Sequence, residues 1–128
     1  MGTVLLVDDD HICNFLMAKA LEKLGVAKEI LTVLNGKQAI DLIRDYTTNL
    51  QNLPEVIFLD INMPIMDGFA FLEAYNDLDT RNKKDIKIIV VSSSDSPSDK
   101  LKAESLGAKD FLSKPITEDK LKLILQSS

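Results

Sequence analysis

Five short apolar runs, separated by segments of helical periodicity, limit the folds that this sequence can adopt. A short run that is apolar at nearly every position is typical of a strand buried on both faces of a sheet. When such strands alternate with helices, right-handed crossovers make the sheet parallel and place helices on both of its faces. We therefore expect an α/β fold, a doubly wound parallel sheet of five strands with the (βα)5 pattern. The predicted strands are residues 3–7, 29–34, 55–59, 87–91 and 110–112.

The first predicted helix has clear signals at both ends. Asp10 can cap a helix over residues 11–24, and Gly25 can end it. Its apolar residues recur at helical spacing, so we expect them to face the core. This stripe consists of Ile12, Phe15, Leu16, Ala20 and Leu24.

Four further helices are predicted, one after each later strand. Asn35 can cap the second of the five helices. The polar segment 47–54 ends in proline and predicts a loop, and the serine-rich segment 92–99 predicts another. The last three helices are predicted over about residues 69–77, 100–106 and 117–125.

Composition and net charge limit the classes of protein to which this sequence can belong. The 128 residues suffice for one domain and contain no linker or repeat, so we expect a single domain over residues 1–128. The net charge of −5 disfavours a nucleic-acid binder or a binder of anionic membranes, because both need a basic surface. We expect neither a membrane span nor a signal peptide, because no apolar run is long enough to cross a membrane and no basic segment precedes the first apolar run. The single cysteine, Cys13, cannot form an intrachain disulfide. We expect a cytoplasmic protein.

Polar side chains stand where four of the predicted strands end. The ligand site of an open doubly wound sheet lies outside the carboxyl ends of its strands. If the strand order is 2-1-3-4-5, the first and third strands are neighbours, and the aspartates at their ends converge. The polar residues are Asp8 and Asp9 after the first strand, Asp60 after the third, Ser92 after the fourth and Lys114 after the fifth.

Three converging carboxylates predict a site for a hard divalent cation. Magnesium prefers six oxygen ligands, keeps several waters, and is usually held by one or two carboxylates together with phosphate oxygens. Asp8, Asp9 and Asp60 carry a charge of −3, which Lys114 reduces to −2 and one Mg²⁺ reduces to zero. The aspartates repel one another without a cation, so we expect Mg²⁺ as the cofactor.

Asp60 differs from the other two aspartates because no acidic residue adjoins it. An aspartate can attack phosphorus and form an acyl phosphate. Phosphoryl transfer needs mainly positioning and neutralisation of charge on the nonbridging oxygens, which a metal ion and a cationic side chain can supply. Lys114 and the hydroxyl of Ser92, at neighbouring strand ends, are suitable partners for those oxygens.

The chain resembles the receiver domains of two-component response regulators over essentially its whole length. Four motifs carry the resemblance: the acidic pair in VLLVDDD, the aspartate in IFLDINMPIMDG, the hydroxyl residue in IIVVSSS and the lysine in FLSKP. Each motif alone is weakly specific, but the four in this order, each at the end of its own strand, are very specific. The resemblance implies a flavodoxin-like fold with strand order 2-1-3-4-5.

The resemblance implies an acceptor and a metal site. Asp60 would be the phosphoacceptor. Asp8 and Asp9 would hold Mg²⁺ with it, directly or through water, and the backbone carbonyl of Asn62 would complete the protein ligands. Asn62 and Ser94 would also tune the rate at which the phosphoryl group is lost.

The resemblance further implies a switch. Lys114 would pair with the acceptor carboxylate and then with the phosphoryl group, and the peptide bond between Lys114 and Pro115 would be cis. Ser92 would move towards the phosphoryl oxygens. Phe111, three residues before the lysine, would be the aromatic switch residue.

A receiver domain of this kind accepts a phosphoryl group from a histidine kinase or a histidine phosphotransfer protein, and then changes its surface for partner binding. It is regulatory rather than an enzyme, although it assists its own phosphorylation and dephosphorylation. The acidic net charge gives no reason to expect direct binding to nucleic acid or to a membrane. The downstream protein target is unknown.

Three alternatives share part of the pattern. A phosphatase of the haloacid dehalogenase type would need a second aspartate two residues after the nucleophile, where this chain has Asn62. A flavin-binding flavodoxin would need a phosphate-binding loop after the first strand, and the acidic segment DDDH would repel that phosphate. A receiver-like module that binds its partner without phosphorylation stays open, although all the residues that phosphorylation requires are present.

The remaining polar residues near the motifs have structural explanations. Asp10 and Asp67 are expected to cap helices or turns. His11 is expected to be a solvated residue of the first helical turn, because a site for a hard cation does not need imidazole. Cys13 is expected to be a partly buried and unreactive thiol.

Overall fold

Strands and helices alternate along the part of the chain that the structure, a computed structural model, describes: residues 2–48, 53–78, 86–93 and 96–126. The strands are β1 (Thr3–Val7), β2 (Glu29–Val33), β3 (Val56–Asp60), β4 (Lys87–Ser92) and β5 (Asp110–Ser113). The helices are α1 (His11–Leu24), α2 (Gly36–Thr48), α3 (Gly68–Asp77), α4 (Pro97–Ser105) and α5 (Glu118–Gln126).

The strands of the described residues form one parallel sheet in the order β2-β1-β3-β4-β5, which confirms the predicted topology. The central strand β3 is buried along its whole length, as expected for an apolar strand covered on both faces. In the register of the sheet, Val7 lies beside Leu59, and Asp60 lies beside Val91. The ends of β1, β3 and β4 therefore share one edge.

Apolar side chains alternate along the strands between two core clusters, one on each face of the sheet. On one face, Leu5, Ile57 and Val90 pack with buried residues of α2, α3 and α4. On the other face, Leu6 and Phe58 pack with buried residues of α1 and α5. Among the residues described, no helix is both long enough and apolar enough to cross a membrane. The two clusters fill the faces of the sheet and leave its carboxyl edge for polar groups.

The predicted helix caps are present. Asp10, Asn35 and Asp67 each accept a hydrogen bond from a backbone N–H of the following helical turn, at 2.8–2.9 Å. Gly25 ends α1 in the left-handed region, at φ 65°, where glycine has no steric penalty. These local signals fix where α1, α2 and α3 begin and where α1 ends.

The predicted apolar stripe of α1 is wrong over its first half. Ile12, Phe15 and Leu16 are 69%, 59% and 60% exposed, so they face solvent rather than the core. Ala20 and Leu24 do pack against the core, as predicted. The N-terminal half of α1 therefore carries an exposed apolar face.

A buried polar residue accounts for this rotation of α1. Asn14 is only 6% exposed, and its Nδ2 donates to the carbonyl of Asp8 at 2.9 Å and to that of Val33 at 3.5 Å. Both carbonyls lie at the carboxyl edge of the sheet, so the bonds turn this side of the helix inwards. Leu21, two helical turns later, is fully buried on the same side.

Two predicted loops are shorter in the structure. Helix α2 continues to Thr48, so the loop predicted over 47–54 is wrong at its first two residues, and residues 49–52 lie outside the described part. Helix α4 begins at Pro97 rather than near residue 100, because proline suits the first turn of a helix. The other predicted boundaries agree to within one residue.

Replacing Asn14 with alanine is expected to lower the free energy of unfolding by about 1–3 kcal/mol, because buried carbonyls lose their donor. Asn76→Ala is the matched control. Its side chain also donates to a backbone carbonyl, that of Leu106 at 2.8 Å, but it is exposed, so water can replace the bond. Urea denaturation of the three proteins measures both losses. Equal losses in the two variants would contradict the role given to Asn14.

Candidate functional site

The three predicted aspartates lie together at the carboxyl edge of the sheet. Val7 and Leu59 are neighbours across β1 and β3, so Asp8 and Asp60, the next residues, are also side by side. Each of Asp8, Asp9 and Asp60 offers a carboxylate oxygen within 4.8 Å of the others. Asp8 and Asp60 are 8% and 6% exposed, whereas Asp9 faces solvent. The cluster is therefore partly buried and open on one side.

Asp8 accepts hydrogen bonds from three groups. Its Oδ1 accepts the backbone N–H of Asp10 at 2.9 Å, its Oδ2 accepts Nζ of Lys114 at 2.8 Å, and its carbonyl accepts Nδ2 of Asn14. The role of Asn14 could not be assigned from the sequence. Its only signal there is a polar side chain between apolar residues of α1.

Lys114 lies between the two buried carboxylates. Its Nζ is 2.8 Å from Oδ2 of Asp8 and 3.8 Å from Oδ1 of Asp60, so the nearer partner is Asp8. The resemblance implies an ion pair between Lys114 and Asp60. The structure has this ion pair, but it is the longer of the two that Lys114 makes. The backbone N–H of Lys114 donates to the carbonyl of Ser92 at 2.7 Å, which joins the ends of β4 and β5.

The charges of the cluster shift the pKa of two groups. Burial and the adjacent charge of Asp8 raise the pKa of Asp60 to about 6, although Lys114 partly opposes the shift. Burial alone would lower the pKa of Lys114, but the hydrogen bond to Asp8 and the charges of Asp60 and Asp8 outweigh it and raise that pKa. Asp60 is thus a buried carboxyl group whose charge is incompletely balanced.

Ser92 and Phe111 occupy the neighbouring strands. Ser92 is fully buried and follows Val91, the residue that lies beside Asp60. Phe111 is half-buried and packs against the core cluster on the side of α2, α3 and α4. The contacts described at the site therefore join four predicted residues, Asp8, Asp9, Asp60 and Lys114. The contacts described for Phe111 are with the apolar core instead. Ser94 lies outside the described residues.

Two glycines fix the loop that follows β3. The N–H of Gly36 donates to the carbonyl of Met66 at 3.0 Å, and the N–H of Gly68 donates to the carbonyl of Ile61 at 2.8 Å. A Cβ at Gly36 would lie 2.8 Å from the Met66 carbonyl oxygen, and one at Gly68 would lie 2.5 Å from the Asp60 carbonyl oxygen. Only glycine permits these approaches, and they hold the loop that carries Asn62.

The same loop contains a strained residue, and a cis bond follows Lys114. Ile65 has a φ of 68°, which is rare for a β-branched residue. The peptide bond between Lys114 and Pro115 is cis. Both features lie in the loops that border the carboxylate cluster.

The donor set fits a hard divalent cation. Carboxylate and carbonyl oxygens are the ligands that Mg²⁺, Ca²⁺ and Mn²⁺ accept, and the cluster holds no sulfur or imidazole ligand among the described residues. A bound cation would relieve the repulsion between Asp8 and Asp60. The open side at Asp9 would leave room for water and for a further oxygen ligand.

Removing the charge of Asp60 is expected to stabilise the protein at neutral pH without metal. Because its pKa is higher in the folded state than its ordinary value of 3.8, the folded state binds the proton more tightly, and stability falls as pH rises from about 4 to about 6. In EDTA at pH 7.5, Asp60→Asn should raise the free energy of unfolding by about 1–3 kcal/mol. Most of the gain should be lost near pH 4, where the carboxyl is protonated in the folded state and about half protonated in the unfolded state.

Urea denaturation between pH 4 and pH 8 measures this effect. Asp45→Asn, which neutralises an exposed carboxylate of α2, is the control and should show no comparable gain. An Asp60→Asn protein that is less stable than the wild type at pH 7.5 would contradict the electrostatic account of the site.

Comparisons with known proteins agree with this geometry. The family model of the response regulator receiver domain matches residues 4–126. Protein PilH of Pseudomonas aeruginosa is 33% identical over 122 residues, which are 94% of this chain and 92% of PilH. Hybrid signal transduction histidine kinase L of Dictyostelium discoideum is 35% identical over 130 residues, which are 98% of this chain but only 7% of that protein.

The solved structures give the same result. The crystal structure of a two-component response regulator from Cytophaga hutchinsonii superposes with a TM-score of 0.88 at 30% identity, and the match covers 99% of this chain and 96% of that one. The family match spans nearly all the described residues, including every strand end that contributes to the carboxylate edge. The chain therefore belongs to the response regulator receiver domains of two-component signalling, a regulatory family.

Proposed function

We propose that this chain acts as a receiver whose phosphoacceptor is Asp60. The phosphoryl group would come from the phosphohistidine of a histidine kinase or of a histidine phosphotransfer protein. The observation that carries the proposal is the position of Asp60, buried at the end of the central strand beside a second buried carboxylate and 3.8 Å from the ammonium group of Lys114. The whole of residues 1–128 would serve this one function.

Asp8, Asp9 and Asp60, with the backbone carbonyl of Asn62, would hold Mg²⁺. The ion would supply neutralisation of charge on the transferred oxygens. Asp8 is already fixed by its bonds to Asp10, Lys114 and Asn14, so its carboxylate is oriented before any ligand binds. This orientation supports a metal site that needs little rearrangement.

In the transfer, a carboxylate oxygen of Asp60 would bond to phosphorus while the P–N bond to the donor imidazole breaks. The imidazole nitrogen keeps the electron pair of that bond and takes up a proton from water. The charge of the site, zero with one Mg²⁺, would become about −1, because Asp60 changes from −1 to about −2. Lys114, only 3.8 Å from Asp60, needs a small movement to reach the new oxygens.

The added charge would also draw in Ser92 and bias an existing equilibrium between two conformations. Ser92 is fully buried in the structure, and its hydroxyl would turn towards Asp60 to bind a phosphoryl oxygen. The backbone bond between Ser92 and Lys114 would transmit this movement to β5 and Phe111. The surface formed by α4, β5 and α5 would then change for a protein target. Loss of the phosphoryl group would occur by attack of water, at a rate tuned by Asn62 and Ser94.

Incubation with acetyl phosphate tests the acceptor directly. We expect a gain of one phosphoryl group in the intact mass of the wild type, only when Mg²⁺ is present, because the carboxylate cluster repels an anionic donor without it. Asp60→Asn should show no gain, and the exposed control Asp45→Asn should label like the wild type. Undiminished labelling of Asp60→Asn would show that the acceptor is another residue. No labelling of the folded wild type would favour a module that binds partners without phosphorylation.

Lys114→Ala is expected to permit labelling but to uncouple it from the surface change. Without the ammonium group, the phosphoryl oxygens lose the partner that ties them to the end of β5. Amide NMR shifts of α4, β5 and α5, recorded before and after labelling, measure the coupling. Lys122→Ala, on the exposed side of α5, should behave as the wild type. Wild-type shift changes in labelled Lys114→Ala would rule out this role for the lysine.

A further inference from the structure

A cavity of about 390 Å³ lies between α1, α5 and the sheet, directly beside the carboxylate cluster. Its walls are mostly apolar and include Leu6, Phe58, Met17 and Leu121. Leu16 also lines it and is 60% exposed, so the cavity opens to solvent beside α1. Binding sites for small molecules are usually apolar clefts of roughly 300–1,000 Å³ with a few polar groups at one end.

The polar end of the cavity is negatively charged. Asp8, Asp60 and Lys114 line it, and Asp9 adjoins them in the cluster. Lys114 already donates to Asp8 at 2.8 Å, whereas its distance of 3.8 Å from Asp60 is too long for a hydrogen bond. Asp60 is therefore a buried carboxylate at the cavity wall that can accept a further strong donor. An anionic ligand would be repelled by three carboxylates, and a cationic one would be attracted.

We propose that this cavity binds small organic amines that join an apolar ring system to a protonated amino group. The ring would occupy the apolar space between α1 and α5, and the ammonium group would bind Asp60 and Asp8. The ammonium group would then lie where the carboxylates would hold Mg²⁺, so the amine and the metal would compete. This competition rests on the metal site proposed above, but binding of the amine itself does not.

Two indole compounds of opposite charge test the binding site. Tryptamine carries an ammonium group, indole-3-propionate carries a carboxylate, and both present the same ring. Calorimetric titration of the wild-type protein in EDTA should show binding of tryptamine that is about tenfold or more tighter than binding of indole-3-propionate. Equal affinities would overturn the proposed role of the carboxylates. Absence of tryptamine binding would overturn the site.

Filling the cavity provides the matched structural test. Ala20 lies on α1 at the cavity wall, and Ala20→Met should weaken tryptamine binding about tenfold or more by occupying the space of the ring. Ala74→Met is the control, because Ala74 packs against the core on the opposite face of the sheet. Circular dichroism establishes that both variants fold. Unchanged binding by folded Ala20→Met would place the amine elsewhere and overturn the proposal.

A second variant keeps the test decisive if Ala20→Met does not fold. Asp60→Asn should weaken tryptamine binding but leave binding of neutral 3-ethylindole unchanged, because only the ammonium contact is lost. Cys13 lines the same cavity, so bound tryptamine should also slow alkylation of its thiol by iodoacetamide. An Asp60→Asn protein with full tryptamine affinity, or a Cys13 that tryptamine does not protect, would overturn the proposal.

The metal competition is measured separately. Added Mg²⁺ should raise the apparent Kd of tryptamine in the wild type in proportion to its occupancy. If Mg²⁺ binds and the affinity for tryptamine does not change, the overlap of the two sites is wrong. If the protein binds tryptamine but not Mg²⁺, the metal site of the proposed function fails while the amine site stands.

Discussion

The repulsion between the carboxylates of Asp8 and Asp60 is the constraint on which the rest of the site depends. The parallel register of β1 and β3 leaves the two residues side by side at the edge of the sheet. Two unit charges about 4 Å apart repel by roughly 4 kcal/mol in the dielectric typical of a protein surface. The chain accommodates this repulsion through two donors to the Asp8 carboxylate, Lys114 and the backbone N–H of Asp10. The open side at Asp9 also exposes the cluster to solvent. These two donors balance the negative charge of the site only in part.

The sheet makes this arrangement possible because both of its faces are closed by apolar packing. Helices α2, α3 and α4 cover one face, and α1 and α5 cover the other. The strand ends cannot move apart without disturbing these two cores, so the repulsion is opposed by packing that lies far from the charges. The two sides of the site differ, however. The side towards α4 and β5 is proposed to carry the response to phosphorylation, and the side towards α1 and α5 contains a cavity.

Sequence reasoning predicted the features that depend on local signals. The parallel sheet and the caps at Asp10, Asn35 and Asp67 follow from apolar runs and from the polar residues at their ends. The strand order, on which the convergence of the aspartates depends, is what the resemblance to receiver domains implies. The rotation of α1 did not follow, because a tertiary bond from Asn14 decides which side of the helix faces the sheet. The nearer partner of Lys114 also could not be predicted. A lysine reaches either of two adjacent carboxylates, and only the packed geometry selects one.

Gly36 and Gly68 have a consequence for how sequences of this kind can vary. Neither residue offers a side chain to any reaction, yet each allows backbone to approach backbone where a methyl group would collide. Among random substitutions, changes at these two positions should be rejected about as strictly as changes at the aspartates, since a displaced loop misplaces the Asn62 carbonyl. Tolerance to substitution alone would therefore not separate the groups that perform chemistry from those that hold the loop in place. The positions that reject substitution should therefore outnumber the reactive ones.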